Sequence, residues 1–271
     1  MSTRSNNLTW AVIISACVMG GAMAVDRTLL SNSDAVLPER AIAEVPILMY
    51  HRVDALPTDA ATMVRRMTVS PDELRDHARW LRDEGFNTIS FAQLDAYFRG
   101  EFTLPTKPII LSFDDAYDEH YHIVAPILTR FHLGGTFFIH TDWIGQYDCL
   151  TWDHTRHLAS AGFEIGSHTR THPLLTALDD RALRSELRDS RSMIARQLGT
   201  PPAIVAYPFG ESDERVQQAA RSAGYSMAAG TRDGSFQRAS DRFNLRRIEV
   251  RNGDDTQTLK RLIGGAPRSA L

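Results

Sequence analysis

Two carboxylates and two imidazoles stand where a folded chain could bring them together. Asp114 and Asp115 directly follow an apolar run, residues 109–113, that favours a β-strand. Neighbouring residues of an extended chain point to opposite sides, so one carboxylate can hold a cation while the other stays free. His168 and His172 follow a second strand-like run. Two histidines and one carboxylate make a metal site with open positions, and the pattern therefore predicts a divalent-metal centre.

Further polar residues follow other predicted strands. His51 ends the first strand, residues 45–50, and Tyr207-Pro208-Phe209-Gly210 closes a strand predicted at 204–207. In an α/β barrel the positions after parallel strands share one face, and barrel enzymes carry their chemistry on that face. We therefore expect His51 and the turn at 207–210 to converge with the carboxylates and imidazoles.

From residue 45 the chain alternates short apolar runs with amphipathic stretches, the pattern of a parallel sheet wrapped by helices. Capping boxes at Ser70-Pro71-Asp72-Glu73 and Ser90-Phe91-Ala92-Gln93 mark helix starts, and the longest helix is predicted at 179–198, before Gly199. Other helices are predicted near 119–131, 152–161 and 213–223, and other strands near 86–89, 136–139, 163–165 and 225–228 and within 245–250. About seven strand-helix units predict an α/β fold, a distorted (β/α)7-8 barrel in a single catalytic domain at 45–271.

Composition narrows the function classes. The 271 residues carry 30 Lys and Arg against 33 Asp and Glu, a net charge of −3 without a long run of one sign. This balance gives no indication of a nucleic-acid partner, and we expect a monomer. The two cysteines are Cys17 and Cys149, so the folded part has one thiol and no internal disulfide. Cys149 has no catalytic partners in sequence and is interpreted as inert.

The N-terminal segment predicts export to the periplasm or the extracellular space. Residues 8–25 lack charge and follow Arg4, and Ala22-Met23-Ala24 fits a cleavage site for a signal peptide. Two alternatives stay open: an uncleaved membrane anchor of about 18 apolar residues, and lipid attachment at Cys17. The predicted organisation is a signal peptide or membrane anchor at 1–25 and a linker at 26–44 before the catalytic domain.

Over about residues 45–264 the sequence resembles the polysaccharide deacetylases of carbohydrate esterase family 4. The resemblance rests on Phe113-Asp114-Asp115, His168-Thr169-Arg170-Thr171-His172 and Pro208-Phe209-Gly210, which occur in the family's order. The opening Pro46-Ile47-Leu48-Met49-Tyr50-His51-Arg52 is similar to the exported branch that deacetylates poly-N-acetylglucosamine, in which the catalytic histidine precedes the aspartate pair. The Leu-x-His motif that the family usually carries near its C-terminus is not found in the last thirty residues, so His51 takes that role.

The resemblance implies metal-assisted hydrolysis of an acetyl group. Asp115, His168 and His172 would hold a divalent ion, with zinc favoured by this ligand set. Asp114 would act as the general base, and His51 as the general acid that protonates the leaving amine.

Oxyanion and substrate contacts are expected from the turn after the strand at 204–207. The metal and the backbone N–H of Phe209 would stabilise the oxyanion, and Tyr207 lies beside them in sequence. Many family members place an Arg two residues before the motif proline to orient the base, but this chain has Ala206 there. Arg247 is the substitute candidate.

The tryptophans could bind sugar. Trp143 and Trp152 are candidates to line a substrate groove, because aromatic faces stack on sugar rings, although packing is the commoner role of Trp.

Two other features are interpreted as surface. His154 and His157 have helical spacing on a polar helix with no carboxylate at a strand end, and the Arg-rich stretch at 181–196 interleaves Glu186 and Asp189 as a solvated face.

Three function classes follow. The first is a hydrolase removing N-acetyl groups from an N-acetylglucosamine polymer, such as poly-N-acetylglucosamine, a chitin-like chain or peptidoglycan. The second is an esterase on O-acetylated polysaccharide such as acetylxylan. The third is a non-catalytic sugar-binding module, which is disfavoured because a base, an acid and three ligands are all present.

Overall fold

The computed structural model describes residues 42–266. The strands of this range are β1 (Ile42–Glu44), β2 (Ile47–Tyr50), β3 (Arg52–Val53), β4 (Thr68–Val69), β5 (Asn87–Thr88), β6 (Pro108–Phe113), β7 (Thr136–Ile139), β8 (Glu164–Ser167), β9 (Ile204–Ala206), β10 (Met227–Ala229), β11 (Phe236–Arg238) and β12 (Ile248–Glu249). The helices are α1 (Thr62–Met67), α2 (Pro71–Asp83), α3 (Phe91–Phe98), α4 (Ala125–Arg130), α5 (Trp152–Ser160), α6 (Asp180–Leu198), α7 (Glu214–Ser222) and α8 (Thr256–Ile263). A π-helical segment, His120–Val124, leads directly into α4.

One parallel sheet organises the fold. Its strand order is β10-β9-β8-β7-β6-β2-β12, and β5 pairs beside the start of β6. The sheet curls into half a barrel, which confirms the predicted distorted (β/α) barrel. Leu245 bonds to Ala228 and Gly230 at the β10 edge, and Ile248 pairs with Leu48 at the other edge. The segment 245–249 therefore reaches both edges of the sheet and carries Arg247 between them.

Alternation along β6 separates the two sides of the sheet. Ile109, Leu111 and Phe113 pack into the cluster shared with the outer helices, whereas Ile110 packs into the inner cluster with residues of β2, β7 and β9. The period of two then places Ser112 and the following Asp114 on the inner side.

The capping signals predicted the helix starts correctly. The Ser70 hydroxyl accepts from the Glu73 N–H while the Glu73 carboxylate accepts from the Ser70 N–H, and Ser90 with Gln93 repeats the arrangement. α6 ends at Gly199, whose φ of 76° is the left-handed geometry that favours glycine. These signals are local, so they do not depend on tertiary contacts.

Other elements differ from the sequence expectations. The predicted helix at 119–131 begins as the π-helical segment, and the strand predicted at 86–89 contains only Asn87–Thr88. The pairs β1–β11 and β3–β4 and the helices α1 and α8 were not predicted. Strands of two or three residues carry too few positions for a periodic signal, and β1 pairs with residues almost two hundred positions away.

The predicted signal peptide or anchor at 1–25 lies outside the described residues, as does most of the predicted linker at 26–44. The last three residues of that linker form β1. Within residues 42–266, no helix has both the length and the apolar composition needed to cross a bilayer.

Candidate active site

Asp114 and Asp115, the two carboxylates that follow β6, have different surroundings. Asp114 continues the inner face of β6 and is 2% exposed. The chain then turns sharply, because Asp115 and Ala116 have φ values of 75° and 56°. Asp115 is less buried than Asp114 and lies beside two imidazoles.

Arg247 forms a bidentate ion pair with Asp114 through both of its terminal nitrogens. Its Nη1 and Nη2 donate to Oδ1 and Oδ2 at 2.8 Å each, and its Nε donates to the Gly230 carbonyl at 2.8 Å. Burial alone would raise the pKa of Asp114, but the charges of Arg247 and His168 and the guanidinium hydrogen bonds lower the pKa below its ordinary value. Arg247, the residue that the sequence suggested for orienting the base, therefore contacts the predicted base Asp114. Its contacts favour the ionised form of that carboxylate.

Asp115, His168 and His172 form a cluster with metal-site spacing. Oδ1 of Asp115 lies 3.4 Å from Nε2 of His168 and 3.5 Å from Nε2 of His172. Bonds of about 2.0–2.2 Å from a tetrahedral zinc would separate neighbouring ligand atoms by about 3.4 Å, so the donor set fits such an ion. These are the three residues that the sequence predicted as ligands.

A hydrogen bond fixes the ring orientation of His168. Nδ1 of His168 donates to the Ala206 carbonyl at 2.8 Å, so the neutral ring directs the lone pair of Nε2 toward Asp115. A histidine that binds metal commonly donates its other N–H in this way. Burial opposes the charged form of His168, but the hydrogen bond and charge of Asp115 raise its pKa. Burial and the neighbouring His168 lower the pKa of His172.

His51 lies at the end of β2 and lines the same cavity, of about 470 Å³, as the two carboxylates and the two histidines. His120, buried behind it, uses Nε2 to donate to the His51 carbonyl at 2.8 Å. Nδ1 of His51 is buried and has no hydrogen-bond partner among the described residues. The structure therefore brings together the predicted acid, base and ligand residues.

Comparison with known proteins agrees with this arrangement. A sequence profile of the polysaccharide deacetylases matches residues 102–228, which carry the aspartate pair, both histidines and the turn at 207–210. The chain is 28% identical to YxkH of Bacillus subtilis (strain 168), whose name places it among the polysaccharide deacetylases, over 78% of this chain and 73% of the relative. Over residues 102–228 the chain therefore resembles the polysaccharide deacetylases.

The chain is also similar to a named enzyme in sequence and to a solved structure in fold. A poly-beta-1,6-N-acetyl-D-glucosamine N-deacetylase of Escherichia coli (strain K12) is 24% identical, over 92% of this chain but 44% of the relative. The solved structure of the Streptococcus pyogenes deacetylase PplD superposes with a TM-score of 0.76 at 23% identity, covering 82% of this chain and 98% of that one. The second likeness shows the shared fold.

Glu186 holds the loop that carries His168 and His172. Its Oε2 accepts from the N–H groups of Arg170 and Thr171 at 2.8 and 2.9 Å, and its Oε1 accepts from the Thr171 hydroxyl at 2.7 Å. The loop needs this support because Thr169 and His172 have positive φ. The interpretation of Glu186 as part of a solvated face was wrong: it is 6% exposed.

The sequence did contain a pattern that indicated the burial of Glu186, but the alternating charges of α6 obscured it. Leu183, Glu186, Leu187, Ser190 and Ile194 are spaced along one face of α6, and all five are buried. Helical periodicity thus placed the carboxylate on the apolar stripe.

The turn after β9 presents Phe209 at the cavity. Phe209 has a φ of 60° and is 63% exposed. The next residue, Gly210, has a φ of 72°, and a Cβ there would collide with the Thr231 side chain. Tyr207 also borders the cavity, but its buried hydroxyl donates to the Phe243 carbonyl at 3.0 Å, away from a substrate.

The two tryptophans stand apart from the cavity lining. Trp152 packs partly buried against the outer core cluster, while Trp143 is 48% exposed, with its ring 5.3 Å from that of His140. Stacking on sugar stays a prediction for both. The lining instead includes Met63, Arg66 and Met67 of α1, a helix that the sequence pattern did not reveal.

The remaining sequence candidates lie elsewhere. His157 is exposed, as predicted for the surface pair, but half-buried His154 faces the carboxylate of Asp118 at 3.1 Å. The sequence pattern did not indicate this carboxylate, which belongs to the loop after β6 and not to a strand end. Cys149 is a buried free thiol, and burial raises its pKa, which agrees with an inert role.

Proposed function

We propose that this protein is a metal-dependent hydrolase that removes N-acetyl groups from an N-acetylglucosamine-containing polysaccharide. The observation that carries the proposal is the pairing of buried Asp114 with Arg247 beside the Asp115–His168–His172 cluster. One carboxylate is neutralised by an arginine and the other faces two imidazoles, so the two have separate tasks. A purely sugar-binding module has no need for this division.

The cluster would hold a divalent ion through Asp115, His168 and His172. When bound, such an ion supplies Lewis-acid chemistry, which polarises an acyl oxygen and makes water more acidic. The Ala206 carbonyl fixes the tautomer of His168, and Glu186 fixes the loop of His172. Both contacts orient ligand atoms before a substrate arrives.

Asp114 would take the proton of the attacking water. Its lowered pKa keeps the carboxylate ionised at neutral pH, and Arg247 holds the plane of the carboxylate through two hydrogen bonds. Each carboxylate oxygen retains a lone pair beyond the one that faces Arg247. The arginine therefore orients the base without occupying its full acceptor capacity.

His51, which lines the same cavity, would donate a proton to the departing nitrogen. An amine leaves an amide only after it is protonated, whereas an activated ester releases its alcohol without that help. The backbone N–H of Phe209, presented at the cavity by the turn after β9, would donate to the oxyanion.

The choice of an N-acetylglucosamine polymer rests on relatives. Enzymes of Escherichia coli and Staphylococcus aureus that resemble this chain are named poly-beta-1,6-N-acetyl-D-glucosamine N-deacetylases. The chain spans 44% of the Escherichia coli relative's length and 74% of the Staphylococcus aureus relative's. An acetylated polysaccharide of this class is the proposed substrate.

A substrate panel tests the proposal. Acetate release by the zinc-loaded protein is measured on partially acetylated β-1,6-glucosamine oligomers, chitin oligomers and acetylxylan, with Asp114→Asn as the control for contaminating activity. We expect wild-type release from a glucosamine substrate and loss of at least about 10²-fold in the control. Release from acetylxylan alone would replace the amidase with an O-acetyl esterase, and release from none would refute both activities.

We also propose that the protein is exported, on the basis of the uncharged segment 8–25. Sequencing the mature N-terminus distinguishes cleavage near Ala24 from a retained anchor. Recovery of the intact chain from the cytoplasm alone would contradict export.

A further inference from the structure

A second group of ligand-type side chains lies outside the proposed active site. Asp118, His122 and His154 each offer one ligand atom, and these atoms lie within 4.8 Å of one another. Asp118 stands in the loop after β6, His122 in the π-helical segment and His154 in the first turn of α5. Two segments of the chain, residues 118–122 and the start of α5, therefore converge on one point.

The oxygen-to-nitrogen distances are close to those of a zinc ligand set, with a different oxygen of Asp118 facing each imidazole. Oδ1 of Asp118 lies 3.1 Å from Nδ1 of His154, and Oδ2 lies 3.4 Å from Nε2 of His122. Neighbouring ligands of a tetrahedral zinc are about 3.4 Å apart when the bonds to nitrogen and oxygen are about 2.0–2.2 Å. The Asp115–His168–His172 cluster has oxygen-to-nitrogen distances of 3.4 and 3.5 Å.

The rings are held in place before any ion binds. The ring of His154 stacks on Tyr121 at 4.3 Å between centroids and 3° between planes, and lies perpendicular to the ring of His122 at 5.1 Å. The Thr151 N–H lies 3.5 Å from Nδ1 of His154, a long contact that a bound ion would replace. Nδ1 of His154 and Oδ1 of Asp118 face each other at 3.1 Å, which is favourable with a proton or a cation between them.

We propose that Asp118, His122 and His154 form a second divalent-metal site, suited to zinc or another borderline transition-metal ion. Two imidazoles and one carboxylate are a donor set that such ions prefer over calcium or magnesium. The exposed ring of His122 leaves the outer side of the site open to water.

The proposed site links the loop after β6 to the start of α5, two parts of the chain that are already in contact. The N–H of Asp118 donates to the Asp148 carbonyl at 3.1 Å, and the N–H of Leu150 donates to the Ala116 carbonyl at 2.8 Å. These bonds join the loop that carries Asp115 to the segment leading into α5. An ion held by Asp118 and His154 cross-links the same two segments, so its role is structural.

Zinc stoichiometry of the purified full-length protein tests the proposal. The wild type is expected to retain two zinc ions per chain after dialysis, and His122→Ala and Asp118→Asn one each. His168→Ala is also expected to retain one, and the His122→Ala/His168→Ala double variant none. Equal melting temperatures of wild type, His122→Ala and Asp118→Asn in chelator establish that these substitutions leave the fold intact.

A matched control is His157→Ala, which removes an exposed imidazole one turn along the same helix from His154. It should keep both ions. Loss of the second ion in His157→Ala would mean that the ion binds a loose group of histidines and would overturn the proposal, as would a wild-type zinc content that His122→Ala and Asp118→Asn leave unchanged. The double variant separates this result from the proposed active site, because each site loses its ion independently.

Discussion

Replacing Arg247 with methionine should weaken both folding and catalysis. Arg247 and Asp114 are 1% and 2% exposed, and two hydrogen bonds of 2.8 Å join them. Removing one partner of a buried ion pair leaves an uncompensated charge, which costs about 3–5 kcal/mol in the free energy of unfolding. For a domain of this size, the melting temperature should fall by about 6–20 °C.

The destabilisation should depend on pH in a defined direction. In the wild type the folded-state pKa of Asp114 is lowered, so its ionised form adds stability above the unfolded value of about 3.9, and this stability is lost as pH falls through the folded pKa. Without Arg247, burial dominates and raises that pKa. The variant then loses stability as pH rises from the unfolded pKa through the raised folded pKa. The difference in unfolding free energy from wild type should therefore be larger at pH 7 than at pH 4.

Catalysis gives a second readout. The acidic limb of the kcat/KM profile should move to higher pH in Arg247→Met, because the base must lose its proton before it can act. Arg247→Lys should recover part of the stability but not the orientation of the Asp114 carboxylate. A lysine ammonium cannot donate two parallel hydrogen bonds to the two oxygens of one carboxylate. Arg246→Met is the matched control, because that guanidinium bonds instead to the Asp233 carbonyl. An unchanged pH profile and melting temperature in Arg247→Met would refute the orienting role.

Three shorter predictions concern the neighbouring residues. His51→Ala should lower turnover on an N-acetylated sugar far more than on an activated phenyl ester, because only the amine needs protonation; equal losses on both would contradict the acid role. Glu186→Gln should weaken metal binding by about 10–100-fold in titrations, since the loop of His172 loses an anionic acceptor, while Asp189→Asn, which alters a carboxylate of the same helix that bonds to Ser185, should bind normally. His172→Ala should bind the active-site ion more weakly than wild type; unchanged affinity would remove His172 from the ligand set.

Local signals in the sequence were good predictors of helices and strand ends. The hydroxyl caps at Ser70 and Ser90 involve bonds within four residues, so no tertiary knowledge was needed to place α2 and α3. The period of two along β6 likewise predicted that Asp114 and Asp115 diverge, although the positive φ of Asp115 adds a turn that a strand pattern does not contain.

Contacts between distant segments were harder to predict. Arg247 meets Asp114 across 133 positions, because the segment 245–249 reaches both edges of the sheet. Its role could be suggested by resemblance but not by spacing. Asp118 and His154 meet for a similar reason: the charge pattern of α5 alone does not indicate which loop packs against its first turn.

The most direct test of the division between the carboxylates compares metal content with turnover in two variants. Asp114→Asn should retain the active-site ion and lose about 10²–10⁴-fold in turnover, because the amide keeps the shape but cannot accept the proton. Asp115→Asn should lose affinity for the ion, and excess zinc should restore part of its activity. Loss of the ion in Asp114→Asn with retention in Asp115→Asn would contradict the account and reverse the two roles.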